Sequence, residues 1–191
     1  MTMRITKYGE PVLRQRGEPV KHFDGRLARL ADEMLATMYS AEGVGLAAQQ
    51  VGLALQFCVV DVRPPEGEQA PYFYELDGRR PPPVLFMPLA MANPEVTFHK
   101  RQKSDYEEGC LSFPDIRATI RRHSHIKVSF QDLDGSPHEL DCDGLLARCI
   151  LHEVDHLNGI LFIDHLSKKD YRKLEPELRR LKAVTRAKLQ K

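Results

Sequence analysis

The residues of this 191-residue chain best equipped for chemistry are His152-Glu153-Val154-Asp155-His156. On a helix, positions four apart lie one above the other, a turn apart at roughly 6 Å, so two imidazoles there can grip one tetrahedral ion. A carboxylate beside the first histidine reaches water held in an open coordination position. Two ligands and a general base on one turn are the physical content of the H-E-x-x-H pattern. It points to a hydrolytic metal site and does not name a substrate.

Two histidines leave the site incomplete. Tyr106-Glu107-Glu108-Gly109-Cys110-Leu111-Ser112-Phe113-Pro114 places a cysteine in a polar turn where core composition does not explain it. A thiol beside a dication is a thiolate and would complete a Cys-His-His set. Cys142 and Cys149 compete for that position. Cys149, however, would have to share a helical turn with both histidines, and ligands at offsets 0, 3 and 7 do not easily converge on one ion. Cys110 is the better candidate. A third stretch, Gly43-Val44-Gly45-Leu46-Ala47-Ala48-Gln49-Gln50-Val51-Gly52, holds three glycines that permit close backbone approach. It lacks the lysine and the glycine spacing of a phosphate loop. A glutamine there can aim an amide N–H at a substrate carbonyl.

Several elements must position these groups. Asp143 is the expected cap of the histidine helix, with Leu145, Leu146, Ile150 and Leu157 facing the core and Asn158-Gly159 ending it. An alternating strand, His125–Gln131, a turn at 132–135 and a returning strand at 137–142 make a hairpin before it. Asp24 should cap an earlier helix reaching about Ser40, with Leu27, Leu30, Ala31, Met34, Leu35 and Met38 on its core face. A buried strand at 56–62 follows the glycine-rich loop. Shorter strands are expected at 3–6, 84–90 and 95–100, a helical turn begins at Pro11, and 159–164 is a short apolar strand or turn. Seven of the thirteen prolines fall within 63–88, which reads as a surface insertion carrying a small hairpin. Ser167 caps a last helix with Tyr171, Leu174, Leu178, Leu181 and Val184 along one stripe, and Pro176 kinks or restarts it.

Composition sets the outer bounds. With 42% hydrophobic and 29% charged residues the chain is an ordinary globular protein, expected to form one domain over 1–191. A net charge of +1 gives no global pull towards DNA or an acidic surface. There is no apolar leader and no run of membrane-spanning length, and the four cysteines lack the spacings of a disulfide framework, which together point to the cytoplasm. The segment 167–191 carries ten Lys or Arg against three Asp or Glu. A solvated helix face is the ordinary explanation, and docking on an RNA-rich partner is the sharper one.

Gly-Val-Gly-Leu-Ala-Ala-Gln-Gln at 43–50, Glu-Gly-Cys-Leu-Ser at 108–112 and His-Glu-Val-Asp-His-Leu at 152–157 together resemble the three signature motifs of peptide deformylases, in order and in rough separation. The resemblance implies an α+β fold, with antiparallel β-sheets surrounding the H-E-x-x-H helix and a C-terminal helix. It implies one divalent metal held by Cys110, His152 and His156, ferrous iron in most members, with zinc, nickel or cobalt able to substitute. The implied substrate is the N-formyl group on the starting methionine of nascent polypeptides, removed as formate during co-translational N-terminal processing. Glu153 would be the base, and the Gln50 amide and the Leu111 N–H would help hold the oxyanion. Gly45 would leave backbone groups free to pair with the peptide; Val44, Glu108 and Leu145 would line the methionine pocket, and Arg117 would support Cys110 or Glu108. The sequence departs from the family pattern in Leu151, usually glutamine, in Arg148, usually an aliphatic residue beside the methionine pocket, and in the length of 63–88. Docking on the ribosome through the basic last helix is a further expectation.

Two other readings compete. A zinc peptidase would draw its third ligand from downstream, where Glu175 and Glu177 lie at a plausible distance. An RNA-binding module with a closed structural metal would keep no exchangeable water.

Overall fold

The computed structural model describes residues 2–65, 67–98 and 102–190. Helix α1 (Gly25–Ser40) starts where the Asp24 carboxylate accepts the Arg26 amide at 2.8 Å, and it buries Leu27, Ala31, Met34 and Met38 on the face that the spacing predicts. Strands β1 (Gly45–Ala47), β2 (Phe57–Val60), β3 (Tyr74–Leu76) and β4 (Leu89–Thr97) follow. After them come β5 (Lys103–Cys110), β6 (Phe113–His123), β7 (His125–Gln131) and β8 (Pro137–Asp143). Helix α2 (Gly144–Leu157) carries the histidines, and α3 (Lys168–Leu189) ends the chain. The six strands β1-β2-β4-β7-β8-β3 form one sheet in that order, β5 and β6 form a second, and every pairing between these strands is antiparallel. This is an α+β fold with the H-E-x-x-H helix set among antiparallel sheets.

The sheet is buried on both sides around β2, which is why that strand is apolar throughout. Alternation sends Phe57 and Val59 towards Leu27, Met34 and Met38 of α1, and Cys58 and Val60 towards Leu146, Ala147 and Ile150 of α2. A third cluster joins Phe113, Ile116 and Ile120 of β6 to Phe162 and to Leu178 of α3. The site lies where α2, the β5–β6 pair and the loop leading into β1 converge.

Several sequence expectations are corrected. Residues 3–6 form no strand, because Thr6 bonds the carbonyls of Gln49 and Gln50, two successive residues of the 3-10 turn Ala48–Val51, and has no neighbouring ladder. The segment read as two strands at 84–90 and 95–100 is a 3-10 turn, Pro83–Leu85, followed by the single strand β4. A bulge between Ala92 and Glu95, with Asn93 at φ 52°, carries β4 through Asn93-Pro94. His99 and Lys100 lie outside the described residues. The small hairpin expected within 63–88 is there, β3 turning through Asp77-Gly78, both at positive φ, to an antiparallel bridge between Leu76 and Arg79. The segment is not confined to the surface, however: β3 also pairs with β8 at the sheet edge, and Tyr72 and Met87 are buried in the core.

Of the two alternatives at 159–164, strand or turn, the structure has the turn, a 3-10 element at Phe162–His165. Helix α3 runs unbroken through Pro176, which sits on an exposed face where solvent can satisfy the freed carbonyl. On that helix Thr185 is buried and Val184 is exposed, reversing the last step of the expected stripe. Asp143 stands at the cap position, but its carboxylate accepts the Phe73 amide of the insertion at 2.7 Å and leaves the helix amides alone.

Candidate active site

Cys110 is the last residue of β5, where pairing with β6 jumps from Gly109↔Arg117 to Cys110↔Phe113. The irregularity releases the thiol from the ladder and turns it towards α2. Its Sγ lies 3.3 Å from His156 Nε2, and the ligand atoms of Cys110, His152 and His156 all fall within 4.8 Å of one another. That spacing suits one ion bound at about 2.0–2.3 Å from each donor. It is the one metal-binding cluster found among the described residues. Glu175 belongs elsewhere, hydrogen-bonded to Arg179 on α3.

The Nδ1 atom of His152 is paired with Glu108 Oε2 at 3.0 Å, which leaves the other ring nitrogen for a metal. Two arginines hold Glu108 in turn. Oε1 accepts from Arg122 Nε at 2.7 Å and Arg148 Nη1 at 2.8 Å, and Oε2 accepts from Arg122 Nη2 at 3.0 Å. Burial opposes ionisation, but the His152 and Arg122 hydrogen bonds override it and hold the Glu108 carboxyl down at about 2. Arg122 also donates to Asp155 at 2.5 Å, and Asp155 meets His165 at 2.7 Å. For His156, burial and then the neighbouring His152 push the pKa well below the usual imidazole value, favouring the neutral ring a metal requires.

Glu153 is buried, and burial raises its carboxyl to about 7 against the pull of His152. Its Oε2 has no hydrogen-bond partner. Gly45 covers this carboxylate so closely that a Cβ there would press on Glu153 and stand 2.7 Å from Cys149 Sγ. Here a glycine is a steric necessity. Gln50 is buried with Oε1 accepting the Ala47 amide at 2.8 Å, which directs Nε2 to Cys110 Sγ and Ser112 Oγ, each at 3.4 Å. These groups open onto a cleft of about 740 Å³ that Val44, Leu111, Leu145 and Arg117 also line.

Not every expected residue has the expected surroundings. Leu145 is 39% exposed at the cleft and does not face the core. Arg117 stands opposite Gly109, and the partners of Glu108 are Arg122 and Arg148 instead. The Arg148 guanidinium is engaged by Glu108, the Ile120 carbonyl and both oxygens of Ser104, so it offers the cleft little free charge. Cys149 donates to the Val44 carbonyl at 3.3 Å, and burial raises its pKa well above the ordinary thiol value, so it is a packing residue. Sequence reasoning missed Arg122, fourteen residues from Glu108, because nothing local marks it as that carboxylate's partner.

A family model described as polypeptide deformylase matches residues 2–172. The chain belongs to the peptide deformylase family. A peptide deformylase of Opitutus terrae is 52% identical over 189 residues, covering 98% of this chain and 96% of that one. The crystal structure of peptide deformylase from Thermotoga maritima is similar with a TM-score of 0.73 at 40% identity, covering 87% of this chain and 99% of that one. A crystal structure of a mutant of Arabidopsis thaliana peptide deformylase 1B reaches a TM-score of 0.84 at 30% identity, covering 99% of this chain and 95% of that one. As a peptide deformylase the chain is a hydrolase with a single catalytic metal that removes the formyl group from nascent peptides, and the peptidase alternative is not favoured.

Proposed function

We propose that this deformylase carries out its hydrolysis with Glu153 as the proton-transfer group, Gln50 and Leu111 as oxyanion donors, and Cys110, His152 and His156 as the metal ligands. The observation behind this reading is the cluster of three ligand atoms together with a buried glutamate oxygen that has no partner, on a cleft lined by Cys110, His152 and Glu153. A divalent ion held by the three side chains would supply Lewis acidity and lower the pKa of the attacking water.

Glu153 takes the proton of that water, and a carboxyl held near 7 is matched to the exchange at neutral pH. As the hydroxide adds to the formyl carbon, the Gln50 Nε2–H and Leu111 N–H groups offer fixed dipoles to the developing oxyanion. Glu153 then returns its proton to the departing amine as formate leaves. Gly45 offers backbone groups to the peptide, and Val44 and Leu145, both exposed at the cleft, line the pocket for the methionine side chain. Glu108 and Arg148 belong to the wall of that pocket, with their charges spent on each other, on Arg122 and on His152. With the Arg148 guanidinium engaged in this way, methionine is the expected first residue.

The family resemblance points to ferrous iron in the cell, with zinc, nickel or cobalt as substitutes, and the thiolate ligand makes an iron-loaded site sensitive to oxidation. Residues 1–191 act as a single catalytic domain, with 63–88 built into its sheet edge. No described helix is long and apolar enough to cross a membrane, in keeping with action on nascent chains in the cytoplasm. The exposed basic face of 167–191 is suited to docking on the ribosome, and ribosome co-sedimentation that survives its removal would refute this role.

Formate release from formyl-Met-Ala-Ser by anaerobically purified, iron-loaded protein tests the chemistry. The wild type releases formate, and the Glu153→Ala protein releases almost none while keeping its metal. Equal release from both would overturn the role given to Glu153.

A further inference from the structure

The N-terminal segment, too irregular to be a strand, makes hydrogen bonds to two loops of the site in turn. The Thr6 amide donates to the Gln50 carbonyl at 2.8 Å and its hydroxyl to the Gln49 carbonyl at 2.9 Å. One residue later the Lys7 ammonium donates to the Leu111 carbonyl at 2.7 Å, and the Tyr8 amide donates to the Ser112 carbonyl at 2.9 Å. Three consecutive residues therefore fasten the loop that carries Gln50 to the loop that carries Cys110 and Leu111.

This clip is itself anchored. Glu10 accepts the Lys7 amide at 2.8 Å and is gripped through both oxygens by Arg4, at 2.7 and 2.8 Å. The Tyr8 ring stacks on Phe113 with centroids 4.8 Å apart. Lys7 is half-buried, lines the cleft and lies within electrostatic reach of the Cys110 thiol. Its bond is the one side-chain link in the set from the segment to the Cys110 loop, so it can be altered without changing the backbone.

We propose that Lys7 is a positioning residue for the hydrolysis, its ammonium holding the Leu111 carbonyl so that the 110–112 loop stays in register with Gln50. With the carbonyls of both Leu111 and Ser112 tied down, the peptide groups on either side of Ser112 have little rotational freedom, and they fix the Leu111 Cα from which its own N–H projects. The N–H that faces the developing oxyanion is thereby pre-aimed, and a small misplacement of such a donor is costly. The inference rests on the oxyanion role given to Leu111 above.

The test compares Lys7→Met and Lys7→Arg with the wild type, all cobalt-loaded, on formyl-Met-Ala-Ser. Lys7→Met should lose about ten- to a hundredfold in kcat with KM within about threefold, and Lys7→Arg should recover most of the loss. The visible cobalt absorption should stay the same, since the ligands are unchanged. Amide hydrogen exchange over 110–112 should quicken in Lys7→Met and return to the wild-type rate in Lys7→Arg. Wild-type kcat in Lys7→Met, a loss confined to KM, or unaltered exchange over 110–112 would each overturn the proposal. Absence of formate from the wild type would instead count against the reaction assigned above, and the exchange measurement would still decide the case for Lys7.

Discussion

Glu108→Gln removes one charge from a buried cluster and keeps the side-chain shape, so its cost can be worked from the surroundings. The carboxyl titrates at about 2 in the folded protein against an ordinary value of 4.5. At about 1.4 kcal/mol for each pH unit, that difference is on the order of 3 kcal/mol of stability at neutral pH. A second route gives a similar figure. Removing one partner of a buried ion pair costs about 3–5 kcal/mol, and here Arg148 loses its counter-ion while Arg122 is left with Asp155 alone. Because the folded value lies below the unfolded one, the contribution is complete above about pH 4.5 and is lost as the pH falls through about 2.

The assay is urea unfolding of the metal-free wild type and Glu108→Gln proteins at pH 7 and at pH 3. The expected result is a gap of about 3 kcal/mol at pH 7 that narrows clearly at pH 3. A parallel titration should find metal affinity weakened about ten- to a hundredfold, because His152 loses the carboxylate that orients it. A gap under about 1 kcal/mol, or one that does not change with pH, would refute the view that the arginines and His152 hold Glu108 ionised.

Other predictions rest on separate contacts. Gly45→Ala places a methyl group against Glu153 and Cys149, so it should lower kcat by about a hundredfold and stability by about 1–3 kcal/mol; kinetics and urea curves on the same preparation check both. Cys110→Ser should leave less than one metal per chain after dialysis, whereas a peptidase-type site would keep its ion; metal analysis decides. His138 lies between Asp77 at 2.7 Å and Asp132 at 3.2 Å, and the Asp77 hydrogen bond leads in raising its pKa above 6.5. The stability gap between wild type and His138→Gln should therefore be full below about pH 6.5 and shrink as the pH rises through the higher folded value. It should stay under about 1 kcal/mol because the site is partly exposed, and thermal melts at pH 5.5 and 8.5 measure it.

Local chemistry was legible in the sequence, and long-range chemistry was not. The four-residue step from His152 to His156, the Asp24 cap and the β7–β8 hairpin depend on contacts within a few residues, and the structure contains each of them. Arg122 and Lys7 escaped notice because their partners lie 14 and 104 residues away. Arg148 stood out as a departure in the pocket, but only the fold shows its guanidinium engaged with Glu108, Ile120 and Ser104. Prolines misled in two directions. Pro176 read as a kink or restart because the pattern does not reveal which face meets solvent, and the crowd of prolines at 63–88 read as a surface insertion although its short strand joins the main sheet.

That strand has a consequence for how the chain can change length. β3 covers the outer edge of β8 at Leu140, Asp141 and Cys142, and its neighbour Phe73 satisfies the carboxylate at the start of the histidine helix. A chain shortened across 63–88 would bare a row of unpaired backbone groups, the template on which identical molecules add to one another. Self-association during folding, ahead of any loss of turnover, is then the main penalty for trimming the insertion.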